Sequence, residues 1–302
     1  MPDSRPPQPL VDARALARQL DRLARAEAPP WLHQEVARRM AERLVVMRET
    51  PSQWLDWWAW LGAGAQPVQA LWPQAERRVV EPTPALAERS RATLQAPWWA
   101  WRRRQALAQA VLDETAVPPG QAQMLWASMV LHAVPDPVAL MARWHAALAV
   151  GGFLMFSSFG PDTWRELRSL YAAAGWPAPH PPFTDMHDIG DQLVHAGFAD
   201  PVMDQETLRL HWSSPEALLA ELRSLGGHLG AGRLPGLRTP RWRQRLLAAL
   251  AERADSQGRI GLTVEIVYGH AFKAAPRARP GEPVTVSLDG LLASMKQGRP
   301  LR

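Results

Sequence analysis

Between about residues 53 and 160, short apolar runs bounded by turn residues alternate with helical stretches, and that rhythm restricts the fold more than any other property of the chain. The runs are QWLDWW (53–58), RRVVE (77–81), QMLWASMVL (123–131) and GGFLMFSSF (151–159); PTPALAERSRATL (82–94) and PDPVALMARWHAAL (135–148) lie between them. Strands spaced this way pair in parallel, because a parallel neighbour needs a crossover long enough to bring the chain back. The expectation is an α/β fold with a mostly parallel sheet and helices on its faces. WRRRQALAQAVLD (101–113) reads either as a helix or as a helix running into a strand.

The flanks extend this frame. Residues 11–28 and 31–47 carry apolar side chains at three-to-four spacing, broken apart at Ala28-Pro29-Pro30, and predict two amphipathic helices in an N-terminal segment, 1–48. After residue 160, DPVMDQETLRLHW (200–212) and RIGLTVEIVYGHAF (259–272) alternate like strands, with only helices between them. They predict an antiparallel edge to the sheet and a helical cap at about 213–256, within a main domain of 49–274. Residues 275–302 are rich in Pro, Gly and Arg and predict a flexible tail.

Composition removes several function classes. The chain has 302 residues and 47% apolar content, enough for a large core, and no cysteine, so disulfides, thiolate metal sites and cysteine nucleophiles are excluded. No apolar run approaches the roughly 18 residues of a membrane span, and the N-terminus lacks the layout of a secretory signal. A cytoplasmic protein without membrane attachment is expected. The net charge is +5, and only Lys273 and Lys296 among the 34 basic residues are lysines. The arginines are scattered among acids along helical faces, which speaks against nucleic acid. The clusters at Arg102-Arg103-Arg104 and Arg241/Arg243/Arg245 read as solvated faces, with an acidic protein partner as the sharper alternative. His187, Asp188 and His211 lack the spacing of a metal site.

In an open α/β sheet, ligands bind beyond the carboxyl ends of the strands, where strand order reverses. There the first strand presents Asp56 and leads to Gly62, while the second ends on Glu81, an acid placed to accept both ribose hydroxyls of a nucleoside. Twenty-five residues separate Asp56 from Glu81, room for a turn, a helix and a strand. This layout resembles the class I S-adenosylmethionine-dependent methyltransferases: a Rossmann-like, mostly parallel seven-stranded sheet with an antiparallel edge strand. Within that superfamily, the blocks VDARALARQLDRLARA (11–26), FSSFGPDTWRELR (156–168), FTDMHDIGDQL (183–193), LRSLGGHLGAGR (222–233) and LTVEIVYGHAF (262–272) resemble the malonyl-acyl-carrier-protein O-methyltransferases of biotin synthesis. The likeness covers roughly residues 11–275.

The resemblance implies S-adenosyl-L-methionine as cofactor, methylation of the free carboxyl of a malonyl thioester, the acyl carrier protein as partner, and a monomer. Such a transfer is an in-line displacement onto an already ionised acceptor; alignment and exclusion of water carry it, without a base or metal. The family's first loop is D-x-G-x-G-x-G, whose glycines let backbone approach the ligand. Counted without gaps from Asp56, Trp58 and Trp60 fall on the first two glycines and Gly62 on the third. A shifted register would use Gly62 and Gly64 but put Trp60 at the acid position, so the ungapped one is adopted. Trp57, Trp58 and Trp60 then read as packing residues. Glu81 matches the ribose-binding acid, Asp113 the acid at the adenine amino group, and Ser128 the residue after the fourth strand; His132 reads as a hydrogen-bonded structural residue. On the acceptor side Tyr268 matches a family position facing the pocket. Pro182 stands where the family has an arginine, leaving Arg165, Arg168, His180 and His187 as substitutes; Glu27 lies near the place of an aromatic hydroxyl. Two other readings stay open: a paralogue that keeps the fold but works as a binding or regulatory protein, and a methyltransferase with a different acceptor.

Overall fold

The computed structural model describes residues 10–94, 111–233 and 238–275. Its elements in chain order are α1 (Ala13–Ala24), α2 (Trp31–Leu44), β1 (Gln53–Trp57), α3 (Ala59–Gly62), α4 (Ala65–Leu71), β2 (Glu76–Glu81), α5 (Pro84–Thr93), β3 (Val111–Asp113), β4 (Ala122–Ala127), a 3-10 turn at Leu131–Ala133, α6 (Pro137–Ala147), β5 (Leu148–Phe159), α7 (Arg165–Ala173), α8 (Met186–His195), β6 (Ala199–Trp212), α9 (Pro215–Ser224), α10 (Pro240–Ala251) and β7 (Ile260–Phe272). The uncertain segment 101–113 ends in β3; the rest of it, the Arg102–Arg104 cluster included, and the tail from 276 lie outside the described residues.

Four helices begin with one local grammar. Thr83-Pro84, Asp136-Pro137, Ser214-Pro215 and Thr239-Pro240 each put a side-chain acceptor ahead of a proline, whose missing N–H costs nothing in the first turn. Each acceptor takes the amide three residues on: Leu86 at 3.3 Å, Ala139 at 2.9 Å, Ala217 at 3.1 Å and Trp242 at 3.2 Å. These caps fix where α5, α6, α9 and α10 start.

The sheet has seven strands in the order β3-β2-β1-β4-β5-β7-β6. Strands β1 to β5 pair in parallel, and β7 runs antiparallel to both β5 and β6. The reversed strand therefore sits one place inside the edge, and β6 is outermost. Its alternating half-buried and exposed residues mark a strand covered on one face, whereas β7 is buried almost throughout.

Each face of the sheet has its own core. On one, Leu16, Leu20 and Leu23 of α1 pack with Trp57, Trp58, Val80, Leu131, Trp144 and Phe156. On the other, Leu32, Val36 and Met40 of α2 pack with Trp54, Met124, Trp126, Phe153 and Tyr268. The N-terminal helices thus belong to the cores of the sheet domain. A third cluster joins α7, α9, α10 and β7 through Leu167, Leu170, Leu218, Leu246, Leu250 and Leu262.

The α2 face also holds a buried ion pair. Asp56 of β1 is fully buried and meets the guanidinium of Arg77 on β2 at 2.7 Å, while its Oδ1 has no partner. Burial pushes the Asp56 carboxyl above its ordinary range, against the pull of Arg77. Removing the guanidinium strands a charge in the core, so Arg77→Ala should lose about 3–5 kcal/mol at pH 7 in urea unfolding, and Asp56→Asn in that background should recover most of the loss.

Candidate functional site

The switch in strand order falls between β1 and β4, so the crevice for a nucleoside lies above their carboxyl ends. The chain leaves β1 through Trp58, whose φ of 55° is in the left-handed region that favours glycine. Its N–H donates to Val80 O at 2.7 Å, and α3 begins at once. The indoles of Trp57 and Trp58 both donate through Nε1 to one oxygen of Glu114, just past the end of β3. Glu114 in turn accepts from Arg143 at 3.2 Å. Since β2 lies between β1 and β3, this bond carries the Trp58 indole across the carboxyl end of β2. Both rings are buried, and the leucines of α1 pack over them.

Glu81 stands at the end of β2, as expected, but its carboxylate is spent inside the protein. Oε1 accepts the Trp60 N–H at 2.8 Å, near the start of α3, and the Ser90 hydroxyl from α5. Oε2 is sealed and without a partner, and the residue is 1% exposed. Burial is the main cause of a Glu81 pKa pushed up to about 7. Gly62 lies against the loop after β4: a Cβ there would lie 3.3 Å from the carbonyl of Ser128. Ser128 is buried beside Ser157, whose hydroxyl is 3.4 Å from its own.

The other site residues of the sequence reading are spread more widely. Asp56 serves the buried pair with Arg77. Asp113 ends β3 in register with Glu81, on the same carboxyl edge, where it is exposed and accepts the Thr115 amide and hydroxyl at 2.9 and 2.6 Å, hydrogen bonds that hold its pKa down. Tyr268 faces the α2 layer rather than a pocket: its hydroxyl donates to Glu206 at 3.2 Å, and the Arg43 guanidinium lies 3.7 Å from the ring centre. Arg165 is exposed and paired with Asp162 at 2.8 Å, and His187 is exposed near the start of α8. Trp57, Trp58 and Trp60 are packing residues, with Arg89 stacked 4.4 Å from the Trp60 ring centre. Glu114, next to Asp113, went unread because nothing local marks it as the partner of two indoles.

The open volume lies elsewhere. A chamber of about 350 Å³ sits between α1, α7, α9 and α10, lined by Phe159, Trp164, Phe183 and Trp242 together with His132 and His180. His180 is thus the one proposed acceptor-side substitute that reaches a cavity; Arg165, Arg168, His187 and Tyr268 do not line the chamber. His132 packs 4.4 Å from Phe159 between ring centres, and its Nδ1 is buried without a partner, contrary to a hydrogen-bonded structural role. A second, more open groove of about 670 Å³ runs past Trp31, Trp60, Arg77 and Ser90. Neither space is lined by Asp56, Gly62, Glu81, Asp113 or Ser128.

This sheet order, with one reversed strand near the edge, defines the class I methyltransferase fold, and the comparisons agree. A methyltransferase-domain model matches residues 31–200. The chain is 38% identical over 253 residues to a malonyl-[acyl-carrier protein] O-methyltransferase of Laribacter hongkongensis, covering 82% of this chain and 84% of that one. It is 33% identical over 273 residues to the protein of that name from Gallionella capsiferriformans, covering 89% and 93%. Among solved structures, the YcgJ protein of Bacillus subtilis superposes with a TM-score of 0.53 at 10% identity, over 79% of this chain and 99% of that one, a likeness of fold. The chain belongs to the malonyl-[acyl-carrier protein] O-methyltransferase family.

The cofactor of this class of methyltransferases is S-adenosyl-L-methionine, and the residues at the crevice, as folded, do not fit it. A ribose needs two acceptors, whereas Glu81 has one oxygen occupied and the other sealed. In the loop after β1, where the resemblance implies glycines, stand Trp58, buried, and Trp60, half-buried. Glu81 also leaves a signature without any ligand. Its folded pKa of about 7 exceeds the unfolded value, so the native state binds more protons, and stability falls as pH rises from about 4.5 to 7. Glu81→Gln should remove that slope, matching the wild type at pH 4.5 and exceeding it by up to about 3 kcal/mol at pH 8 in urea unfolding.

Proposed function

We infer that this chain is an O-methyltransferase that uses S-adenosyl-L-methionine to methylate the free carboxyl of a malonyl-acyl-carrier-protein thioester in biotin synthesis. The observation that carries the reading is the 38% identity to a relative of that name across 84% of its length. An acidic carrier protein suits the face of α10 that carries Arg241 and Arg245, both exposed, with charge acting mainly on the encounter rate. Helices α9 and α10 act as a cap over the acceptor chamber. The protein works as a cytoplasmic monomer; no helix among the described residues is long and apolar enough to cross a membrane.

A second reading has its own support. The indole pair latched on Glu114 and the internal use of Glu81 favour a paralogue that keeps the fold and the acceptor chamber while transfer is lost. The two readings differ in what must happen for a nucleoside to bind. On the first, the Trp58 indole leaves its seat and Glu81 is released from Trp60 and Ser90. On the second, both stay.

Isothermal titration with S-adenosylhomocysteine separates them: heat at micromolar ligand supports transfer, and none at high micromolar ligand supports the paralogue. Complementation of a strain lacking the biotin methyltransferase then tests the acceptor. Trp58→Gly with Trp60→Gly should raise affinity for S-adenosylhomocysteine by opening the loop, while costing about 3–5 kcal/mol for the buried Trp58 indole and less for the half-buried Trp60. Trp58→Gly alone tests the opening without the loss at Trp60, with the melting temperature read beside the titration.

A further inference from the structure

The link from β5 to α7, Gly160-Pro161-Asp162-Thr163-Trp164, is tied along its length to one buried acid of β7. Glu265 is 3% exposed, and its side chain accepts from neutral donors: the Asp162 N–H at 2.7 Å on Oε2 and the Gln205 side-chain amide on Oε1. Its backbone is engaged as well. The Glu265 N–H donates to the Thr163 hydroxyl at 3.0 Å, and the Glu265 carbonyl accepts from that hydroxyl at 2.8 Å and from the Gly160 N–H at 2.9 Å. An apolar side chain at 265 would avoid the penalty of burying a carboxyl group. It could not take the Asp162 N–H, and the middle of the turn would come loose from β7.

Two costs mark this turn as specified. Gly160 lies against the acid: a Cβ there would stand 2.5 Å from Glu265 Oε2, closer than real Cβ contacts. Trp164 has a φ of 54°, in the left-handed region that a bulky side chain seldom adopts, and its N–H donates to Thr263 O at 2.7 Å. Strain of this kind persists only where the surroundings over-determine it. What it delivers is the seat of the indole. The Trp164 ring centre lies 5.2 Å from that of Phe159, 5.3 Å from His180 and 6.0 Å from Phe183, and all four residues line the chamber. Glu265 itself does not line it.

We propose that Glu265 is a positioning residue of the acceptor end. By holding the 160–164 turn it sets the Trp164 indole in the chamber wall, and so governs how tightly the acceptor is held without touching it. The kinetic half of this proposal rests on the transfer reading; the placement of Trp164 does not.

The test uses the whole chain labelled with 5-fluorotryptophan, the Trp164 resonance being identified by its absence from Trp164→Phe. Glu265→Ala removes the acceptor, Gly160→Ala pushes the side chain aside without removing it, and Glu265→Gln keeps an oxygen for the Asp162 N–H. The Trp164 resonance should move in Glu265→Ala and Gly160→Ala and return to its wild-type position in Glu265→Gln. In methyl transfer from S-adenosyl-L-methionine to malonyl carrier protein, the first two should raise KM for the carrier about tenfold, with kcat and KM for the methyl donor unchanged. Glu265→Gln should restore the wild-type KM. General damage to the fold would instead lower kcat through a smaller active fraction and leave both KM values alone. An unmoved Trp164 resonance in Glu265→Ala and Gly160→Ala overturns the proposal, and so does a loss confined to kcat. Should Glu265→Ala fail to fold, Gly160→Ala carries the same two readouts. A wild-type chain that transfers no methyl group fails the transfer reading, while the fluorine resonance still decides the placement of Trp164.

Discussion

Two indole N–H groups converging on one Glu114 oxygen decide the character of the carboxyl edge. Without that acceptor, Trp57 and Trp58 would bury polar nitrogens at the centre of a core, each at a cost of about 1–3 kcal/mol. With it, the rings can pack beneath α1 and between the strand ends. The magnitudes favour this arrangement over an open loop. Each buried indole removes ~150–250 Å² from water, an upper bound of about 4–6 kcal/mol. The left-handed backbone at Trp58 costs about 1–2 kcal/mol against that gain. Burying both rings therefore stabilises the fold.

Glu81 follows from the same event. Once α3 starts directly after Trp58, the first amides of that short helix need acceptors, and the carboxylate at the end of β2 is within reach. An acid whose position suits a sugar has become the partner of a helix start. Ser90 adds a second bond from α5, so β2, α3 and α5 share one buried carboxylate. Its raised pKa reflects its burial, which the two hydrogen bonds to Oε1 only partly offset. The neighbouring Asp56–Arg77 pair is a separate solution, a charge neutralised in place.

The alternation of strands and helices was legible because β1, β2 and β4 are apolar runs of five or six residues, with β5 a longer one, bounded by capping or turn residues that act locally. The strand end at Glu81 was legible for the same reason. What those side chains touch was not, because the partners arrive from distant elements: Glu114 from beyond β3, Ser90 from α5, Arg77 from β2. Tyr268 shows the limit most clearly. Strand β7 is buried on both faces, so alternation of polarity cannot tell which way a residue points, and Arg43 of α2 claims it. The gap between β1 and β2 held two short helices rather than the single one expected, since the Gly62–Gly64 stretch interrupts the turn.

Both ends of the site differ from what the family resemblance implies. On the ungapped register, Trp58 and Trp60 stand where glycines are implied, and Glu81 accepts from the Trp60 N–H and the Ser90 hydroxyl within the protein. Pro182 stands where an arginine is implied, and the chamber beside it has aromatic walls with Arg223, Arg238 and Arg243 in its lining. An ionised acceptor needs a cation or donors within reach, so on the transfer reading its charge falls to these arginines and not to position 182.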